Sequence, residues 1–222
     1  MTKTKIKPCA ECIDPEFNPG YHADIEGYRE APIYQAHKEL DPEQFAQPLY
    51  LDVGAGKYSQ LEGWTAVDLY TEADINAPMW EIPLPDGSVK GIMSQNALEH
   101  VQKDRVVPTL REWARLLEKG GRLELMVPDL EWACHWFIAR PTNGWDMDII
   151  YGNQQHMGEF HLTGFTRDII KDYFEQSVDK DTEWYIESIE YLFGEMTSIE
   201  IEPGIYKQDV TQRVILVKAN KI

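Results

Sequence analysis

Apolar and polar positions alternate along the chain as short β-prone runs set between turns, with helical spacing in a few longer stretches. Leu49–Val53 is a compact apolar run that stops at Gly54-Ala55-Gly56. Thr65-Ala66-Val67 is a second run, ending in Asp68, and Glu72–Ile75 contains the end of a third. Ile82–Ser88 reads as a proline-stiffened turn. Val89–Ser94 is a fourth strand that runs into the polar stretch Gln95–Val101. From Lys103 to Lys119, Val106, Val107, Leu110, Trp113, Leu116 and Leu117 recur at helical spacing, and Gly120-Gly121 would close that helix. Arg122–Val127 is the next strand, closed by Pro128-Asp129.

The second half is less regular. Leu130–Ala139 reads as a helix whose Trp132, Trp136 and Phe137 are expected in the core. Pro141–Phe165 is polar and irregular but carries embedded aromatic residues, the profile of a functional loop. Thr166–Gln176 is a helix with Thr166 as its cap. Ser198–Glu202 and Arg213–Ala219 are strand-like, while Glu183–Phe193 fits helix or strand equally. Strands alternating with helices, then a β-rich end, predict an α/β three-layer sandwich with late antiparallel character. Residues 1–47 show no sustained period and are rich in proline, so they read as an extension packed on a domain of residues 48–222. A short helix near Ile33–Leu40 is the one element expected there.

Strand one ends in glycines and strand two in a carboxylate, the front of a nucleotide-type site. Glycine lets the backbone turn sharply and approach a ligand, and Asp68 can accept from both hydroxyls of a ribose. A dinucleotide site also needs a third glycine and a helix aimed at the pyrophosphate. Here Lys57 and Tyr58 follow at once and the connection is short, so the expected ligand has a ribose and no diphosphate. Gln95, Asn96 and their neighbours fall just past a parallel strand, where such sheets bind ligands.

Charge and cysteine content narrow the partners. The net charge is −17 over 222 residues, which disfavours a nucleic-acid backbone. Asp172–Glu202 holds ten acids against Lys180 alone, a solvated face or a surface for a basic partner. No apolar run reaches the ~18 residues of a membrane span, and the N-terminus lacks a signal peptide, so the expectation is a cytoplasmic protein. Cys9 and Cys12 form a lone pair and Cys134 stands apart, so reduced thiols and no metal are expected. Nothing in the sequence reads out an oligomeric state.

LDVGAG, VDL, LPDGSVKGIMSQNALEHV and LREWARLLEKGGRLELMVPDL together resemble the class I S-adenosylmethionine-dependent methyltransferases of the UbiE-like pattern, over about residues 48–130. IIYGNQQHMGEFHLTGFT is similar to a branch of predicted methyltransferases linked with glycan biosynthesis. The resemblance implies a Rossmann-like seven-stranded, mostly parallel sheet with an antiparallel C-terminal hairpin. It implies S-adenosylmethionine as cofactor, with Asp52, Gly54, Ala55 and Gly56 along its amino-acid part. Asp68 would hold the ribose, Leu69 would lie beside the adenine, Asp74 and Ile75 would flank the adenine's amino edge, and Ser94, Gln95 and Asn96 would lie near the methyl. The short connection after Gly56 departs from the pattern and puts the usual first helix in doubt. His161 in the polar loop is the first choice as general base or orienting group, ahead of His100 and His156. The leading expectation is methyl transfer to an O or N atom of a small polar, sugar-like acceptor. A protein acceptor with a basic surface, and a non-catalytic cofactor-binding module, are the competing readings; a nicotinamide oxidoreductase lacks its third glycine.

Overall fold

A computed structural model describes residues 40–56, 62–139, 145–155, 157–195, 199–202, 205–207 and 211–222. The extension to residue 39, with Cys9 and Cys12 and most of the expected Ile33–Leu40 helix, lies outside the described residues, as do Lys57, Tyr58 and His156.

Seven strands form one sheet. They are β1 (Tyr50–Val53), β2 (Thr65–Asp68), β3 (Ile75–Asn76), β4 (Val89–Gln95), β5 (Leu117–Pro128), β6 (Trp184–Glu195) and β9 (Thr211–Lys221), in the order β3-β2-β1-β4-β5-β9-β6. The first five are parallel, while β9 runs antiparallel to β5 and β6 antiparallel to β9. A separate antiparallel pair, β7 (Ile199–Glu202) and β8 (Ile205–Lys207), is inserted between β6 and β9. Helices α1 (Val106–Leu116), α2 (Leu130–Ala139), α3 (Trp145–Tyr151) and α4 (Arg167–Ser177) flank the sheet. This is the α/β three-layer fold with an antiparallel end that the strand pattern predicted, and the Rossmann-like, mostly parallel seven-stranded sheet that the resemblance implied.

The segment left open between helix and strand is β6, and it pairs with β9 along nearly its whole length. Two other readings differ from the structure. The helix expected over Lys103–Lys119 is shorter, because Lys103–Arg105 is a tighter 3-10 turn and Leu117 already has extended backbone angles. Gly120-Gly121 therefore lies inside β5 and does not end α1. Val89 pairs with Leu117 and Gly91 with Arg122, so residues 118–121 bulge out of the ladder, with Gly120 at φ 81°. The aromatic residues of α2 are not core. Only Ala133 of that helix is buried; Trp132 and Trp136 stack on each other at 5.4 Å and stay half-exposed. On a short helix at the rim of the sheet, two indoles cover each other more readily than they reach the interior.

The core forms where β1, β4, β5 and β9 meet α1 and α4. Leu51, Val53, Ile92, Leu123, Leu125 and Val217 contribute from the strands, and Leu110, Trp113 and Phe174 from the helices. Thr166 caps α4 through its hydroxyl, which accepts from the Ile169 N–H at 3.3 Å. Arg115 ties the proline turn to α1. Its guanidinium donates to both carboxylate oxygens of Glu112, to Asp86 and to the Leu84 and Ile82 carbonyls, all within 3.0 Å. Trp113 is fully buried and donates its indole N–H to the Met79 carbonyl at 3.0 Å. Replacing Trp113 with Ala opens a cavity and orphans that carbonyl, and is expected to cost about 3–5 kcal/mol in urea denaturation. A loss below about 1 kcal/mol would mean that α1 packs elsewhere.

Candidate active site

The C-terminal edge of the parallel strands gathers most of the residues singled out in the sequence. After β1 the chain turns through Gly54 (φ 76°) and Gly56 (φ 63°). The Gly54 and Ala55 N–H groups both donate to the Val67 carbonyl, at 2.8 and 3.3 Å. A Cβ on Gly54 would lie 2.2 Å from the Ala97 Cβ, so a bare backbone is required where the exits of β1 and β4 pass.

Asp68 at the end of β2 organises this turn. Its Oδ2 accepts from the Gly56 N–H at 2.9 Å, and its Oδ1 from the Tyr70 and Thr71 N–H groups at 2.8 Å. Asn76 braces the same loop by donating to the Asp68 and Thr71 carbonyls. A carboxylate has about four acceptor positions, so with three N–H donors Asp68 keeps capacity for a further donor. The Tyr70 hydroxyl is pushed up to about 12 by burial, with the Asp68 charge adding to it. Asp52 and Leu69 are buried beside this turn. Asp74 precedes β3 and accepts from the Ala66 N–H at 2.9 Å, while Ile75 pairs with Val67 and is buried in the core.

At the end of β4, Ser94 is fully buried and its hydroxyl has no hydrogen-bond partner among the described residues. Gln95 is exposed, and Asn96 takes a positive φ of 48° that swings the chain across the sheet edge toward Ala97. An orphaned hydroxyl and a turn that a Cβ would fill are what a polar ligand between β1 and β4 needs.

Glu99, His100 and His161 lie beyond that point. The chain after α3 folds back on the exit of β4, because the Glu99 carbonyl accepts from both the Leu162 and Thr163 N–H groups, at 2.8 and 3.0 Å. The Thr163 hydroxyl adds a bond to the Val101 carbonyl at 2.8 Å. The loop closes this tightly only with Gly152 (φ 78°), where a Cβ would collide with the Glu159 carbonyl at 1.7 Å. A small pocket opens between Glu99, Pro128, Ile149, His161, Thr163 and Phe165. Each imidazole is held through Nδ1, His161 on the Ile149 carbonyl at 2.7 Å and His100 on the Phe160 carbonyl at 3.0 Å. A carbonyl only accepts, so Nδ1 carries the proton in both rings. The two rings meet edge to face, 4.8 Å between centroids.

Glu99 is 1% exposed, and burial pushes its carboxyl up to about 8. His161 is pulled down to about 4, chiefly by burial and then by the neighbouring His100. His161 Nε2 and Glu99 Oε1 are 4.0 Å apart, yet both shifts favour the neutral forms, so near neutral pH the contact is not an ion pair. Asp129, the other buried acid of this edge, is committed elsewhere. It caps α2 through the Glu131 and Trp132 N–H groups and pairs with Arg213. Glu99 was not singled out in the sequence as a functional residue. The available signal was Ala97, Leu98 and Val101 close around it, three apolar residues within an otherwise polar stretch.

Residues 51–125 match the family described as the methyltransferase domain. The fold agrees with that match. A SAM-dependent methyltransferase from Methanosarcina mazei superposes with a TM-score of 0.53 at 15% identity, covering 83% of this chain and 99% of that one. Residues 51–125 thus carry a methyltransferase-domain match, on a fold shared with an S-adenosylmethionine-dependent methyltransferase. A second similar structure is that of a protein from the conversion of a disulfide bond into a thioacetal group during echinomycin biosynthesis. It has a TM-score of 0.53 at 14% identity, over 79% of this chain and 76% of that one. No curated protein matches this sequence. Enzymes of this type use S-adenosylmethionine, and the buried, unpartnered Ser94 hydroxyl at the end of β4 is a polar group such a ligand could meet. Among the described residues no helix is long and apolar enough to cross a membrane.

The shifted acid has a measurable consequence. Between its unfolded value of 4.5 and about 8, folded Glu99 holds a proton that the unfolded chain has released, so its contribution to stability falls as pH rises. His161 acts with the opposite sign between about 4 and 6.5 and has no effect above that. The clean window is therefore pH 6.5 to 8. In EDTA-treated protein, the wild type should lose about 2 kcal/mol across it relative to Glu99→Gln, measured by urea denaturation at several pH values. Parallel pH profiles for the two proteins would refute the buried, protonated acid.

Proposed function

We propose that this enzyme methylates an O or N atom of a small polar, sugar-like acceptor, which enters through the pocket beside Glu99 and His161. The observation that carries this reading is the polar pocket wall next to the exit of β4, made of Glu99, His161 and Thr163 within an apolar surround. The pocket is narrow, with room for about one water-sized group, so only a small polar group of the acceptor would reach its floor. The sequence of the Ile149–Thr166 loop, similar to methyltransferases linked with glycan biosynthesis, favours a hydroxyl-bearing acceptor.

Bound S-adenosylmethionine supplies an electrophilic methyl group on a sulfonium centre. Asp68 would hold the ribose hydroxyls with its remaining acceptor capacity, and Gly54, Ala55 and Gly56 would lie along the amino-acid part with Asp52 behind them. Ser94 and Asn96 would face the methyl end, and Leu69 the adenine. Asp74 and Ile75, where β3 pairs with the end of β2, would flank the adenine's amino edge. For displacement at a methyl carbon, alignment of the acceptor supplies much of the rate. His161 is suited to that task. Its neutral ring presents Nε2 as an acceptor for an incoming O–H or N–H, and its burial keeps it from competing as a cation. His100 buttresses the His161 ring edge on. His156, outside the described residues, is a third candidate to contact the acceptor.

Occupancy of the cofactor groove should stabilise the fold. S-adenosylhomocysteine and S-adenosylmethionine are expected to raise the melting temperature, and NAD is not. Asp68→Ala should weaken S-adenosylhomocysteine binding about tenfold or more, the equivalent of about 1.4 kcal/mol, in calorimetric titration. An equal shift with NAD, or unchanged affinity in Asp68→Ala, would overturn the assignment.

A further inference from the structure

Glu99, His100 and His161 each offer one donor atom, and the three atoms lie within 4.8 Å of one another. We propose that they form a divalent transition-metal site in the wall of the acceptor pocket. The cysteine pattern gave no reason to expect a metal, and this site uses none of the cysteines.

Three features converge on a cation. First, the Glu99 carboxyl is buried, and neither oxygen has a hydrogen-bond partner among the described residues. A carboxyl taken out of water without donors is costly, and an ion between it and the imidazoles removes that cost. Second, both imidazoles are oriented in the manner of metal ligands. Each gives its Nδ1 proton to a backbone carbonyl, of Ile149 and of Phe160, which places the lone pair on Nε2 and fixes the plane of the ring. Third, the three groups come from two segments locked together by the paired N–H donors on the Glu99 carbonyl, so the donor set is built before any ion arrives.

The donor chemistry selects the ion. Two imidazole nitrogens and one carboxylate oxygen suit zinc, cobalt, manganese or iron(II), whereas magnesium and calcium prefer oxygen donors alone. Three protein ligands leave coordination positions open. The binding claim rests on the geometry alone. The use made of the open position rests on the function proposed above, with the ion taking the place of the His161 Nε2 lone pair in orienting the acceptor: a hydroxyl bound there would have its pKa lowered.

Cobalt(II) is the probe for this site, added to the full chain after EDTA treatment and dialysis. The expected result is one equivalent bound with visible d–d bands and no near-ultraviolet thiolate-to-cobalt absorption. A Cys9→Ser/Cys12→Ser variant should bind as the wild type does. Glu99→Gln and His161→Ala should each weaken binding about tenfold or more, while excess magnesium should not displace the cobalt. Near-UV circular dichroism checks that the variants fold, and Glu99→Gln changes no side-chain volume. Absence of stoichiometric binding, or binding lost in the cysteine variant and kept in Glu99→Gln, would overturn the site. The thermal shift with S-adenosylhomocysteine separates the two readings. Cobalt binding without that shift would sink the methyl-transfer reading, and the shift without cobalt binding would sink only the metal site.

Discussion

The contact of Gly54 with Ala97 sets the working edge of this molecule. Parallel pairing of β1 with β4 brings their C-terminal ends side by side. A chain with any side chain at position 54 could not pass Ala97 in that register. The glycine removes the obstacle, and the backbone that turns away from it runs directly to the Asp68 carboxylate. Asp68 in turn gathers N–H groups from both sides of the β2 exit. One missing side chain and one carboxylate thus convert three strand ends into a ligand-facing rim. Trp113 connects that rim to the interior, since its indole fixes the Met79 carbonyl in the segment that lies beside Gly54.

The second half of the chain supplies the other wall by a different principle. The Ile149–Phe165 stretch has little regular structure, and it is held by backbone bonds to the Glu99 carbonyl and a hydroxyl bond to Val101. Those bonds fix where His161 stands relative to Glu99. The acid and the imidazole share an environment dry enough to push their proton affinities in opposite directions. The first half of the chain therefore shapes the Gly54–Asp68 rim through backbone hydrogen bonds, while the second half brings His161 against the buried Glu99.

How much of this could be read from residues alone follows from where the information sits. The strands β1, β2 and β4 are short, mostly apolar runs because both faces of a parallel strand are covered, and β5 carries the alternating stretch Arg122–Val127; such runs stand out. The glycine turn and Asp68 were legible for the same local reason. β6 was not, because its partner β9 is distant in sequence and its own mixture of tyrosines, isoleucines and glutamates fits two periods. The extent of α1 was misjudged because Gly120-Gly121 suits a helix end as well as a bulge, and only the register of β4 on β5 decides between them. Aromatic content placed Trp132 and Trp136 in the core, but a count of rings does not say which way a rim helix faces. Glu99 escaped notice because burial of a charged side chain is a property of the assembled layers and leaves almost no local signature.

Arg213 gives the order in which the acceptor wall can be completed. Its guanidinium pairs with Asp129, the residue that caps α2 and bridges to Phe165 in the pocket lining. Arg213 belongs to β9, so it leaves the ribosome after every other residue of that wall. Until then the buried Asp129 side chain has no guanidinium beside it, so the wall that carries Phe165 waits on the last strand of the chain.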